Sequence, residues 1–371
     1  MFRNTNDDRV HMSKLITILF PEAGNKPVGG HKVILQYANE FAKCGYKVNV
    51  VYSCYYDIPV GFIHKMLRLC KYSLKYLYTI FFRDYSCKSW FNLDTSVECH
   101  YVWSLYSSVI PKADYYFATA AVSAKSLERF DVPATSKFYF VQGYEPWQIG
   151  ENGLFETYRL KYTKIVVSNW LKSVVDKYSS ESVVVPNGFN RSEFTLEKSI
   201  ESRDPHIVSI LYHTYVGKGF SVGLEALEKV KQFVPDLKVL AFGVYDKPSY
   251  LPEWFEYYQS PDRDLHNWIN NEASIYLGTS SMEGYGLTIG EAMMCGQAVV
   301  CTDNSGYLEM AIPNVSALVC PVGDSQALAD AIVKLVNDDD LRINLAKNGN
   351  QTIQNYTVDR SFAKLKALLK P

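Results

Sequence analysis

No uncharged apolar run in this chain reaches the roughly eighteen residues that a membrane-spanning helix needs. The opening stretch, Met1 to Lys14, is polar and lacks the apolar core of a signal peptide. There is no C-x-x-C pair. The eight cysteines stand singly at 44, 54, 70, 87, 99, 295, 301 and 320, which argues against a zinc site and for reduced thiols in a cytoplasmic protein. Neither charge is in excess: with 38 basic and 39 acidic side chains the formal net charge is −1. Whole-chain electrostatics therefore make no case for a nucleic-acid partner. Internal repeats and low-complexity tracts are missing too. No G-x-G-x-x-G follows the first predicted strand, which ranks a nicotinamide-dependent dehydrogenase low.

What the chain has is apolar and aromatic material, 47% and 14% of its 371 residues, enough for two domains of ordinary size. Its most informative stretch is Glu283-Gly284-Tyr285-Gly286-Leu287-Thr288-Ile289-Gly290-Glu291-Ala292-Met293-Met294-Cys295-Gly296. Gly284 and Gly286 permit a positive φ and a close approach of ligand to backbone. From Leu287 to Met294 the pattern turns helical, and Gly296 reads as its stop. Glu283 then sits in a loop before a helix, and Glu291 in the helix's second turn. The Leu287 and Thr288 amides open the helix, where free N–H groups and the dipole favour phosphate. A ligand with both phosphates and hydroxyls, such as a nucleotide sugar, suits this pattern. The plain alternative is a glycine-rich turn into a surface helix whose glutamates are solvated.

Strands and helices alternate along the rest of the chain, the pattern of α/β domains with parallel sheets. Residues 15–20 read as a strand, followed by a loop closing on Val28-Gly29-Gly30, a helix over 31–43 and a strand from Val48. Further strands are expected at 96–102, 115–119 and 137–141. The last runs into Gln142-Gly143-Tyr144-Glu145-Pro146-Trp147, at the strand end where open α/β sheets bind ligands. Gln142 and Glu145 are the acceptor-side candidates, with His100 a weaker one and a simple turn the alternative for Glu145. A strand and a capped helix over 164–171 and a strand at 182–185 lead to the turn Pro186-Asn187-Gly188. The charged run 197–205 reads as a linker. A second series follows: a strand at 207–212, the loop His213 to Phe220, a helix over 221–233, strands at 238–242 and 273–277, and a short helix at 264–271 between these. Strands at 298–301 and 315–320 and helices over 325–337, 339–354 and 359–369 close the chain. This predicts two Rossmann-like doubly wound domains facing a cleft.

Phe62 to Arg83 stands apart. Lys65, Arg68, Lys71, Lys75 and Arg83 are interleaved with aliphatic and aromatic residues, and no acidic residue intervenes. Such a helix suits a membrane interface carrying anionic lipid, or else is a domain helix with a basic face.

The run E-G-Y-G-L-x-x-x-E-A-M-x-x-G resembles the E-x7-E signature of retaining GT-B glycosyltransferases of family 4, the glycosyl transferases of group 1. The resemblance implies that Glu283 faces the transferred sugar and Glu291 binds the ribose. It implies donor contacts for Tyr285, Gly286, Leu287 and Thr288, and places the pair Gly29–Gly30 against the diphosphate. Where the family reads G-R-x-x-x-x-K-G, Lys218-Gly219 matches, but His213 replaces the arginine. A neutral imidazole carries no fixed charge, so donor binding is expected to be weaker or pH-dependent. Asp303 to Glu309 resembles the family's G-x-x-E turn behind the donor pocket. The V-Q-x-Y-E-P-W wording resembles a subgroup that builds rhamnose-containing polysaccharides.

The expectation is an N-terminal acceptor domain over 1–197, joined by a terminal helix at 357–371, and a donor domain over 198–356. The implied reaction is sugar transfer from a nucleoside-diphosphate sugar to a glycan or lipid-linked acceptor, with retention, no metal and no other cofactor. The implied location is cytoplasmic, with peripheral contact at the inner face of the membrane through 62–83. Two alternatives stay open: a catalytically weak sugar-nucleotide-binding homologue, and a nucleotide-sugar epimerase of the same fold.

Overall fold

The computed structural model describes residues 13–58 and 61–369. The polar stretch 1–12 and the last two residues of the expected terminal helix lie outside them. Both halves are α/β. In the first, strands β1 (Leu15–Phe20), β2 (Lys47–Ser53), β3 (Glu98–Val102), β4 (Tyr115–Ala118), β5 (Lys137–Val141), β6 (Thr163–Val166) and β7 (Ser182–Val184) form one sheet ordered β3-β2-β1-β4-β5-β6-β7. Helices α1 (Gly29–Lys43), α2 (Phe62–Phe82), α3 (Ala121–Leu127), α4 (Gly150–Arg159) and α5 (Asn169–Val175) accompany them. β1 pairs in parallel with both β2 and β4. That explains its unbroken apolar run: a central parallel strand covered by helices is buried on both faces. Stacked rings of Phe117, Phe138 and Phe140 fill this core.

The second half repeats the plan. Strands β8 (Ile207–Leu211), β9 (Lys238–Gly243), β10 (Phe255–Gln259), β11 (Ile275–Gly278), β12 (Ala298–Thr302) and β13 (Ala317–Cys320) order as β10-β9-β8-β11-β12-β13, with each neighbouring pair parallel. Helices α6 (Phe220–Phe233), α7 (Arg263–Glu272), α8 (Leu287–Met294), α9 (Ser325–Asn337), α10 (Asp339–Ile353) and α11 (Val358–Lys366) complete it. The sequence order of the strands reverses at β8 and β11, and loops after such strands form a ligand crevice in doubly wound sheets.

Three expectations shift. β10, α3 and α4 were not predicted from the sequence pattern: β10 is a sheet-edge strand with only Phe255 buried, and the other two are short. Gly284 has no positive φ; it supplies room, because a Cβ there would strike the Gln142 carbonyl. The run 197–205 is anchored rather than loose. Arg203 is buried and donates to the carbonyls of Asn270, Ala273 and Cys295.

By compactness the chain divides into one unit of residues 1–140 and 145–164, and another of 141–144 and 165–371. Within the second, Phe189 bridges Thr357 at the start of α11, and its N–H donates to the Tyr356 carbonyl at 2.8 Å. Among the described residues no helix is long and apolar enough to cross a membrane.

Candidate functional site

The loops after β8 and β11 are tied to each other. Ser281 N donates to the Gly217 carbonyl at 2.8 Å, and Thr279 Oγ1 donates to the Lys218 carbonyl at 3.0 Å. Gly219, at φ 66°, carries the chain from Lys218 into α6, so close to Thr279 that a Cβ would strike its carbonyl. The side chains of Lys218 and Glu283, 65 residues apart, then meet with Nζ 2.6 Å from Oε1. Ser280 Oγ donates to the same Oε1 at 2.7 Å. Ser280 is itself fixed, its carbonyl accepting from Thr302 Oγ1 and Asn304 Nδ2. The carboxylate is 16% exposed and the lysine 28%, so both can be reached from solvent while remaining in one arrangement.

Gly286, at φ 97°, turns the chain from this loop into α8, which begins at Leu287 as the sequence pattern predicts. Leu287, Thr288 and Glu291 are half-buried along it. The Tyr285 side chain is buried, stacks on Phe189, and its hydroxyl donates to the Asn187 carbonyl at 3.0 Å. It fastens the glutamate loop to the Asn187 turn. Gly306 lies so near the Glu283 carbonyl that a Cβ would not fit.

His213 closes one side. Its Nδ1 accepts from the Tyr215 N–H at 2.9 Å, which leaves the proton of the neutral ring on Nε2. Burial, seconded by the Lys218 charge and opposed by Glu283, holds the imidazole below the ordinary histidine range. The ring at the family's arginine position is thus a neutral donor at neutral pH. A cluster of Lys218, the α8 start and the His213 N–H can neutralise a diphosphate, while Glu283 accepts from hydroxyls.

One side chain that the sequence did not single out shapes this site, Ser280, while Glu309 of the predicted G-x-x-E turn has a role that the motif does not state. Glu309 takes hydrogen bonds from Asn169 N at 2.5 Å and Asn169 Nδ2 at 3.1 Å. It therefore caps α5 from 140 residues away, together with Ser168, which accepts from Leu171 N at 3.2 Å. A serine near a motif glutamate has no distinctive spacing, so only the fold reveals Ser280, and only the fold shows that Glu309 caps a helix.

Residues 193–352 match the family model described as glycosyl transferases group 1. The chain carries a group 1 glycosyl transferase domain. The run from Glu283 to Gly296, which carried the resemblance in the sequence, lies inside it. Over 192 residues, 49% of this chain and 51% of the relative, the sequence is 26% identical to phosphatidyl-myo-inositol mannosyltransferase of Mycobacterium leprae. Over 207 residues, 52% of this chain and 54% of the relative, it is 21% identical to the capsular polysaccharide biosynthesis glycosyltransferase CapM of Staphylococcus aureus. The chain thus spans about half the length of the curated relatives it matches. Among solved structures, Anabaena HepE in complex with UDP and glucose superposes with a TM-score of 0.70 at 16% identity, covering 96% of this chain and 99% of that one. The fold is that of GT-B glycosyltransferases, two Rossmann-like domains of parallel sheets.

The remaining candidates lie outside residues 193–352. The Gln142 backbone packs on Gly284, and the Gln142 amide oxygen is buried without a hydrogen-bond partner. Gly29 and Gly30 form the first turn of α1, at the carboxyl end of β1. His100, on the edge strand β3, has Nε2 3.0 Å from Asn49 Oδ1.

Glu145 is half-buried in the first unit. Burial, with the charge of Glu22 adding to it, pushes its carboxyl up to about 7. A carboxyl raised on folding binds its proton more tightly in the folded chain, so stability declines as pH rises from the ordinary carboxylate range through about 7. Glu145→Gln removes that ionisation. The expected gain is about 2 kcal/mol at pH 8, at ~1.4 kcal/mol per pKa unit and discounted for partial exposure, and close to nothing at pH 4.5. Denaturant unfolding of both proteins at the two pH values checks this; an equal effect at both would show that ionisation is not the cause.

Proposed function

We propose that this protein transfers a glycosyl group from a nucleoside-diphosphate sugar to a glycan or lipid-linked saccharide in cell-surface polysaccharide assembly, with retention at the anomeric carbon. The observation that carries the reading is the meeting of Lys218 and Glu283 at 2.6 Å, beside the start of α8 and at the topological switch between β8 and β11. In this reading the bond from the anomeric carbon to the diphosphate oxygen breaks as positive charge builds on the ring. Lys218, the Leu287 and Thr288 amides and His213 Nε2–H stabilise the departing phosphate. Glu283 orients the sugar through its hydroxyls, and Glu291 accepts from the ribose. The acceptor oxygen bonds to the anomeric carbon on the face the phosphate leaves, and the phosphate takes its proton. Because the positive groups meet the diphosphate directly, the reading calls for no metal and no further cofactor. Gly29 and Gly30 join the donor contacts, Gln142 and Glu145 the acceptor contacts, and the reaction belongs on the cytoplasmic side. The mannosyltransferase and capsule relatives support the class of reaction, and HepE, whose structure holds UDP and glucose, supports the class of donor.

The test is binding of UDP, GDP, ADP and dTDP and their sugar conjugates, followed by thermal shift and calorimetry in chelator. One nucleotide is expected to stabilise the protein selectively, and Glu291→Ala to weaken it at least tenfold. Affinity should be flat between pH 8 and pH 6.5 and rise only as His213 charges below its ordinary range. His213→Arg should tighten binding at every pH. Binding without transfer to any saccharide acceptor would favour the sugar-nucleotide-binding homologue. Interconversion of free nucleotide sugars would favour the epimerase.

A further inference from the structure

Helix α2 has an unusual distribution of exposure. One face rests on the β3 side of the first sheet. Arg68 lies over the rings of Tyr55, Tyr56 and Tyr72 at 5.8, 5.8 and 5.2 Å and donates to the Tyr56 carbonyl. Tyr76 stacks on Tyr101 at 5.3 Å, and Thr79 is the helix's buried residue. Arg68, Tyr72, Tyr76 and Thr79 follow helical spacing, so this is one stripe. The opposite stripe is Ile63, Leu67, Leu74, Leu77 and Phe81, between 52% and 72% exposed, and Phe62 and Phe82 are exposed beside it. A soluble surface normally covers apolar area of this size or uses it.

The charges on the helix itself are of one sign, and the acidic groups near it, Asp57 on Lys65 and Glu22 within reach of the Lys75 charge, lie toward its seated side. Lys65, Arg68, Lys71 and Lys75 lie along α2, and Arg83 follows it; no acidic residue occurs between Phe62 and Arg83. Lys65 is paired with Asp57 at 3.0 Å and Arg68 is turned inward. Lys71 and Lys75 are exposed at the margin of the apolar face. The helix is 21 residues long, roughly 30 Å at 1.5 Å per residue. It is too charged to cross a bilayer and long enough to lie along one.

We infer that the outer face of α2 lies flat on an anionic lipid surface, with Leu67, Leu74 and Phe81 entering the acyl boundary and Lys71 and Lys75 meeting the headgroups. A second copy of the chain fits this face less well. Residues 63, 67, 70, 74, 77 and 81 do alternate by four and three, as a coiled-coil seam does. However, the apolar arc is wider than such a seam, since Phe62, Met66, Tyr78, Ile80 and Phe82 are exposed as well. Pairing would also set Lys71 and Lys75 of two helices together with no acidic side chain on either helix to meet them. The inference is independent of the transfer chemistry, because α2 belongs to the first unit and Lys218 and Glu283 to the second.

The experiment is co-sedimentation of the full chain with phosphatidylcholine vesicles, with and without phosphatidylglycerol. Binding is expected to be at least tenfold tighter with phosphatidylglycerol and to weaken as salt rises. Lys71→Glu/Lys75→Glu should remove most of that preference. Leu67→Ser/Leu74→Ser/Phe81→Ser should remove binding to both vesicles. These positions are exposed, so thermal unfolding and nucleotide affinity should match the parent, which separates loss of docking from loss of fold. Failure of the parent to sediment with either vesicle would overturn the inference. So would binding indifferent to the lysine substitutions, or dimerisation in lipid-free buffer that Leu67→Ser/Leu74→Ser abolishes.

Discussion

Lys218→Ala is expected to lower kcat/KM for sugar transfer a hundredfold to a thousandfold, the usual loss (roughly 10²–10³) when a fixed positive donor is removed from a developing anion. The ammonium is held 2.6 Å from the Glu283 carboxylate, which is itself fixed by Ser280. It is therefore placed in advance, and its contribution requires little rearrangement during the reaction. The same substitution leaves Glu283, only 16% exposed, with Ser280 as its remaining hydrogen-bond donor among the described contacts. A loss of about 1–2 kcal/mol in stability should follow, less than for a fully buried pair because both groups see solvent. Adding Glu283→Gln to Lys218→Ala should recover most of that stability and none of the activity. Steady-state kinetics with donor and acceptor, together with unfolding of the single and double variants, check both halves. A Lys218→Ala enzyme within threefold of the parent would remove this lysine from the mechanism.

Gly219→Ala should cost roughly 2–5 kcal/mol. About 1–2 kcal/mol comes from placing an L side chain at a left-handed φ, and about 1–3 kcal/mol from driving a methyl into packed structure. The φ is 66°, and the obstruction is the Thr279 carbonyl, which belongs to a loop and cannot rotate aside as a side chain would. Gly323 provides the control. It has φ 80° with open space where its Cβ would stand, so Gly323→Ala should show the backbone cost alone. The difference between the two melting shifts measures how tightly the loops after β8 and β11 are pressed together. Equal shifts would mean that the contact yields easily. Nucleotide affinity should fall with Gly219→Ala and stay level with Gly323→Ala, because only the first moves Lys218.

The fold was legible where burial leaves a local mark. Leu15–Phe20 and Ala298–Thr302 read as strands because parallel strands buried on both faces are written as unbroken apolar runs. The start of α8 was legible to the residue because Gly286 sits at a backbone angle that other residues avoid. β10 escaped because a half-exposed edge strand, Phe-Glu-Tyr-Tyr-Gln, has no clear alternation. In the candidate site, Glu283, Glu291 and Lys218 could be picked out by motif. Their partners could not. Ser280 matters through one carboxylate oxygen, and Glu309, though marked by the G-x-x-E motif, acts by capping a helix far away in the chain, which the motif does not state. Contacts of that kind depend on which strands the topology sets side by side, information that no window of sequence contains.

The aromatic seat of α2 has an optical consequence. Trp103 stacks on Tyr55 with ring centres 5.2 Å apart and planes 7° from parallel, and Tyr76 of α2 meets its edge at 5.7 Å. Rings held at fixed mutual angles in an asymmetric setting absorb left- and right-handed light unequally, a signal that vanishes when the packing loosens while the helix persists. Near-ultraviolet dichroism, with Trp103→Phe to assign the band, thus lets the protein report from within whether α2 stays seated on its shelf or lifts away.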